Sequence, residues 1–150
     1  MEDTLGKTKK RALRILGKRE FSEAEMTRRL ISKGETREDA EQVAAWLKEL
    51  GYINDEKYSL LIVQSYSSRG YGIARIKNEF YKREIPRELW DSALSMFDEK
   101  AYEAAVDFLS SKFRGSRDED DIRKADYALR RRGFSYEEAR MLIDKYLESL

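Results

Sequence analysis

Gly70 and Gly72, with one residue between them and followed by Arg75 and Lys77, are the positions of this chain whose types and spacing could do chemistry. A Gly-x-Gly ahead of a helix can turn backbone N–H groups toward a phosphate. The dinucleotide fingerprint also needs a preceding strand and a third glycine, and a phosphate loop ends in Gly-Lys-Ser/Thr. Neither pattern is present, so Gly70 and Gly72 are read as a structural turn that lets two helices cross closely. Arg69, Arg75, Lys77, Lys82 and Arg83 surround this turn. Ile73, Ile76 and Phe80 occupy the core stripe of the same helix, so the charges are expected to point outward. They then form either a solvated face or a basic ridge for an acidic protein surface or a nucleic-acid backbone.

Tyr66, Tyr71 and Tyr81 stand beside these cations and are the aromatic surface candidates. Arg130, Arg131 and Arg132 pose the same question further on, with Asp118 to Asp121 just upstream to neutralise part of their charge. Lys7, Lys9, Lys10, Arg11 and Arg14 read equally as a frayed basic arm. Trp46, Trp90, Phe97 and Phe113 recur at helical spacing and are assigned to the core rather than to base stacking.

Composition narrows the chemistry. The 150 residues contain no histidine and no cysteine, which removes imidazole acid–base catalysis, thiolate and imidazole metal sites, and a disulfide scaffold. Acidic pairs such as Glu137-Glu138 are explained by helix N-termini, where carboxylates complement the macrodipole. The expectation is no enzyme, no catalytic residue, no metal and no cofactor. Charged residues make up 39%, yet 30 Lys and Arg against 29 Asp and Glu leave a net charge of +1. Basic function must therefore come from local patches. The longest apolar run, Leu60 to Val63, is too short to cross a bilayer, and the N-terminus lacks a signal-peptide apolar region, so no membrane and a cytoplasmic location are expected.

The elements that must position these residues are helices, and they repeat. Leu30-Ile31-Ser32-Lys33-Gly34, Phe80-Tyr81-Lys82-Arg83-Glu84 and Leu129-Arg130-Arg131-Arg132-Gly133 align at intervals of about fifty residues, each with an apolar anchor four positions before a break. Thr36, Pro86 and Ser135 then open helices carrying Ala40/Val43/Leu47, Leu89/Trp90/Ala93/Leu94/Phe97 and Ala139/Leu142/Tyr146. Ser22-Glu23-Ala24-Glu25 and Ser135-Tyr136-Glu137-Glu138 are capping boxes. Asn54 or Asp55 caps a helix presenting Tyr58, Leu61, Ile62 and Tyr66 inward. Strand alternation is absent. The fold class expected is all-α: three tandem three-helix repeats, helix-turn-helix-like, over residues 1–52, 53–98 and 99–150, packed into an elongated, curved chain. Forty-one per cent hydrophobic content is enough to fill such a core. Repeats of this kind favour an extended surface and a large partner over a single catalytic cleft.

Gly51-Tyr52-Ile53-Asn54-Asp55-Glu56-Lys57-Tyr58, followed by Arg69-Gly70-Tyr71-Gly72-Ile73-Ala74-Arg75-Ile76, resembles the central signature of the RecX regulatory proteins. Ser22 to Glu25 with Leu30 and Gly34 resembles the first repeat of that family, and Arg131 to Tyr136 the last. The chain departs at Ile73, where the family usually has proline, at Tyr66, where it has a basic residue, and at Arg83-Glu84, where it has Lys-Gly. The resemblance implies a regulator that binds the RecA recombinase filament, restrains its growth, ATP hydrolysis and strand exchange, and so modulates recombination and DNA repair. The implied partners are RecA and, as a second contact, single-stranded DNA, with the regulator a monomer. The alternative reading is a tandem helix-turn-helix module that binds nucleic acid.

Overall fold

The three aligned breaks adopt one backbone solution. Gly34, Glu84 and Gly133 all have positive φ, of 101°, 55° and 98°. In each turn the N–H one residue past the positive-φ position returns to the carbonyl of the buried anchor: Glu35 to Leu30 at 3.1 Å, Ile85 to Phe80 at 2.9 Å and Phe134 to Leu129 at 3.2 Å. Companion bonds run from Gly34 to Ile31, Glu84 to Tyr81 and Gly133 to Arg130. This is the Schellman arrangement, which satisfies the last helical carbonyls and redirects the chain. Leu30, Phe80 and Leu129 are fully buried. Each anchor therefore contributes about 1.5–3 kcal/mol of apolar burial at the point where its helix must stop.

The computed structural model describes residues 4–150. Among these the chain is all-helical, with nine α-helices and no strand: α1 Thr4–Leu16, α2 Glu23–Ser32, α3 Arg37–Glu49, α4 Asp55–Ser68, α5 Ile73–Lys82, α6 Trp90–Leu94, α7 Lys100–Phe113, α8 Glu119–Arg131 and α9 Tyr136–Glu148. Both capping boxes form as read from sequence: the hydroxyls of Ser22 and Ser135 accept from the N–H groups of Glu25 and Glu138, whose side chains accept from the cap N–H groups. Asn54 rather than Asp55 caps α4, accepting from the Lys57 N–H at 3.0 Å.

The chain divides into two compact units. The first comprises the residues up to 59 together with 80–89. Here α1 and α2 pack on α3 around Ala12, Phe21, Met26, Leu30, Val43, Leu47 and Ile53. The second comprises 60–79 and 90–150. Here α7 and α8 pack on α9 around Ala105, Leu109, Ala125, Leu129, Phe134, Leu142 and Tyr146.

Three local expectations are corrected. The basic N-terminal segment is no frayed arm from Thr4 onward: it is helical, with Thr8 and Ala12 buried, Lys9 over the Trp46 ring at 4.6 Å and Arg11 paired with Glu35 at 3.0 Å. Leu61 is 38% exposed rather than inward, because the buried face of α4 runs through Tyr58, Ile62, Val63 and Tyr66. The helix expected after Pro86 is split into a 3-10 turn at Arg87–Leu89 and the short α6. Its end at Met96 and Phe97 is closed by i→i+3 bonds to Ala93 and Leu94.

Candidate functional site

In the second unit the glycine turn is locked by backbone, not open to a ligand. The Gly72 N–H donates to the Arg132 carbonyl at 2.8 Å, and the Ala74 N–H donates to Gly133 at 3.2 Å. The backbones approach closely here: a Cβ at Gly72 would meet the Gly133 and Phe134 backbone of the α8–α9 turn, and one at Gly70 would meet the Ala104–Ala105 backbone of α7.

That approach gathers three arginines around one ring. The guanidinium carbons of Arg132, Arg75 and Arg69 lie 4.5, 5.1 and 5.6 Å from the Tyr71 centroid, within cation–π range. Arg69 and Arg75 also stack on Tyr66, at 4.4 and 5.5 Å, and Tyr66 meets Tyr71 edge to face at 5.4 Å. Arg132 stacks on Phe108 at 3.7 Å and donates to the carbonyls of Arg69 and Gly70 at 2.9 and 3.4 Å. Burial, and then the Arg69 and Arg75 charges, lower the Arg132 pKa, while Tyr71 opposes the shift. A guanidinium nonetheless stays protonated. The cluster is therefore a fixed concentration of positive charge that a carboxylate or phosphate would relieve.

The placements refine the expectations. Arg75 is not simply outward: its side chain is one-third exposed and forms an ion pair with Glu79 at 3.5 Å. Tyr66 is buried, so it supports the cluster instead of offering a surface, and Tyr71 is half-buried. Lys77 is exposed on the same helix, and Arg130 and Arg131 are exposed at the end of α8. Arg130 lies 5.9 Å from the Tyr136 ring and Arg131 5.6 Å from Tyr127. Asp120 pairs with Arg123 rather than with the arginine run.

Lys82, Arg83 and Tyr81 belong to the first unit. Tyr81 is 77% exposed and Lys82 exposed. Arg83 is half-buried in an internal network: it donates to the Tyr58 hydroxyl at 3.0 Å, which also accepts from Arg19 at 3.3 Å. Arg19 pairs with Glu25 at 3.1 Å, and the Ser22 hydroxyl donates to the Arg83 carbonyl at 2.6 Å. Burial raises the Tyr58 pKa against the lowering effect of Arg83. Lys82 lines an open cavity of about 290 Å³ with Arg19, Arg28 and Arg29, in which Glu25 is the one carboxylate of the lining.

Sequence reasoning missed Arg28, Arg29 and Phe108. The first two were legible as an Arg-Arg step on the polar face of α2, opposite Met26 and Leu30. Phe108 had no local signal, because its partner Arg132 comes from a different helix.

Among the described residues no group of three or more His, Cys, Asp or Glu could hold a metal ion, and no helix is long and apolar enough to cross a membrane.

The fold and these exposed basic and aromatic positions define the class: an all-α protein built from three-helix repeats. The family model for the RecX first three-helix domain matches residues 9–47. The chain is 37% identical over 98 residues to the regulatory protein RecX of Shigella dysenteriae serotype 1 (strain Sd197), covering 59% of each chain, and the regulatory protein RecX of Escherichia coli O1:K1 / APEC matches to the same extent. The match thus spans 59% of the length of these curated relatives. The crystal structure of RecX from Lactobacillus salivarius has the same fold, with a TM-score of 0.81 at 22% identity and 100% of both chains covered. A second crystal structure, of regulatory protein RecX, gives 0.78 at 22% identity, covering 95% of this chain and 72% of that one. Over these spans the chain is similar to the RecX regulatory proteins.

Proposed function

We propose that the chain is a non-enzymatic regulator that binds RecA recombinase filaments on single-stranded DNA and restrains their growth, ATP hydrolysis and strand exchange. The observation that carries this reading is the Arg69–Arg75–Arg132 cluster around Tyr71, a preorganised anion-seeking surface in a chain whose relatives are named regulatory protein RecX. In the second unit this cluster, with Lys77 and the secondary patch of Arg130 and Arg131, meets acidic groups of the filament. In the first unit Tyr81, Lys82 and the backbone-anchored Arg83 supply a separate contact. Three repeats along one chain, as read over residues 1–52, 53–98 and 99–150, suit a polymeric partner, because weak contacts to successive subunits add through effective concentration.

The test is RecA-dependent ATP turnover on single-stranded DNA. The expected result is inhibition at well below one molecule per RecA protomer, with no ATPase activity of the chain itself. Steep, salt-dependent DNA binding without RecA, and inhibition only where the chain strips DNA from RecA, would instead favour the helix-turn-helix nucleic-acid module.

A further inference from the structure

In the first unit the open cavity of about 290 Å³ is unbalanced in charge: Arg19, Arg28, Arg29 and Lys82 line it, and Glu25 is its one carboxylate. That carboxylate is engaged internally, accepting from the Ser22 N–H at 3.0 Å and pairing with Arg19 at 3.1 Å. Glu84, outside the lining, offsets Arg28. Two positive charges are left over, on Arg29 and Lys82. Both are exposed, and among the described residues neither side chain has an ion-pair or hydrogen-bond partner. They stand in the last turns of α2 and α5, whose dipoles place about half a negative charge at each helix end. Those halves offset only about one of the two charges, so the cavity stays cationic.

The cations converge from three places: Arg19 from the segment before α2, Arg28 and Arg29 from α2, and Lys82 from the end of α5. Phosphate oxygens diverge tetrahedrally and meet such cations from several sides, and a guanidinium fork takes two of them at once. A carboxylate offers its two oxygens in one plane. The cavity falls just below the roughly 300 Å³ at which pockets begin to enclose a whole small molecule, so it fits one group of a larger one. Because it is open, a free ion gains little there over water, whereas a polyanion gains by releasing condensed counterions. The lining has nothing free to read a base. Its one aromatic, Phe21, is 3% exposed beneath Arg19 at 3.7 Å, and the Ser32 hydroxyl donates to the Arg29 carbonyl at 2.6 Å. A stacking platform is therefore missing from this cavity.

We propose that this cavity seats one backbone phosphate of a single-stranded nucleic acid, held by Arg29 and Lys82 with Arg28 and Arg19 beside them, without regard to base sequence. A flexible strand can turn a phosphate into a recess, which a stiff duplex resists. The site shares Lys82 with the first-unit contact proposed above but forms without RecA, so its failure would leave that reading standing.

The experiment is an NMR titration of the full chain with oligothymidine, with a charged strand of the same length lacking bases, and with an oligothymidine whose linkages are neutral methylphosphonates. The expected result is amide shifts at residues 19, 28–32 and 82 with both charged strands at similar affinity, and none there with the neutral strand. That comparison uses the parent chain alone. Arg29→Gln combined with Lys82→Gln, both at exposed positions, should bind oligothymidine severalfold more weakly. The same variant should flatten the slope of log K against log salt by about 0.7, the share of one phosphate contact on a single strand. The proposal is overturned by shifts that miss these residues, by equal binding of the neutral strand, by loss of these shifts when the bases are removed, or by an unchanged salt slope in the double variant. An oligoglutamate peptide that shifts the same residues at lower concentration would also overturn it, and would assign the cavity to an acidic protein.

Discussion

Gly72 lies so close to the Gly133 backbone that it admits no side chain, and Gly133 is closed off in the same way by Arg75. A Cβ at Gly72 would stand 2.5 Å from the Gly133 carbonyl oxygen, and a Cβ at Gly133 would collide with the Arg75 backbone N. The nearest obstructing atoms are main chain, and the Gly133 oxygen itself accepts from the Ala74 N–H, so it cannot move without breaking the crossing. Gly72→Ala is expected to destabilise the protein by about 1–3 kcal/mol through overpacking alone. Gly133→Ala should cost about 1 kcal/mol more, because its φ of 98° also disfavours a Cβ. Urea unfolding reads both values, and a neutral Gly72→Ala would show that the crossing is not tight.

Glu84 occupies the left-handed turn that glycine fills in the other two repeats. An L-residue there carries about 1–2 kcal/mol of backbone strain. What Glu84 gains is an ion pair with Arg28 across open solvent, a kind of contact weakened by side-chain entropy and salt. Glu84→Gly should therefore raise the melting temperature, and more clearly in high salt than in low. A lowered melt would mean that the ion pair outweighs the strain.

Tyr102 donates to Glu138 at 2.7 Å, and its pKa is pushed up to about 12, chiefly by burial and then by that bond and the Glu138 charge. The folded state thus holds the proton more tightly than the unfolded chain, where tyrosine ionises near 10. The stability linked to this proton is intact below pH 10 and is lost as the pH rises from there toward 12. Urea unfolding at pH 9 and pH 11 should show the parent losing more stability across that interval than Tyr102→Phe. At pH 9 the variant should be weaker by about 1–2 kcal/mol for the missing hydrogen bond.

The repeat was legible in the sequence because its physical requirement is local. A buried anchor four residues before a break, followed by a capped helix, needs only the residues Leu30 to Thr36, Phe80 to Pro86 and Leu129 to Ser135 to be recognised. Glu84 at the middle break hid the positive φ, yet the anchor and the helix after it kept the register. The arginine site was legible only in part. Periodicity assigns Arg75 to the polar side of α5, but Glu79, Tyr66 and Tyr71 draw it partly inward. No periodicity could place Phe108 beneath Arg132, since that stack depends on the packing of α7 against α8. Leu61 failed for a similar reason: α4 is apolar on several sides, and tertiary contacts chose Tyr58, Ile62 and Tyr66.

Those same contacts decide which charge reversal tests the proposed regulation. Arg75→Glu would set a carboxylate beside Glu79, which is buried, and remove the stack on Tyr71, so it should lower the melting temperature as well as inhibition of RecA. Lys77 is exposed on the same helix, and Lys77→Glu should change stability by no more than about 0.5 kcal/mol. If the cations of this helix meet an acidic surface, Lys77→Glu adds repulsion where there was attraction, and inhibition of RecA-dependent ATP turnover should fall severalfold, with a shallower dependence on salt. Measuring both variants by urea unfolding and by ATP turnover separates contact from fold. A Lys77→Glu chain that melts like the parent and inhibits equally at low and high salt would show that this face of α5 is only solvated, and that the contact lies elsewhere.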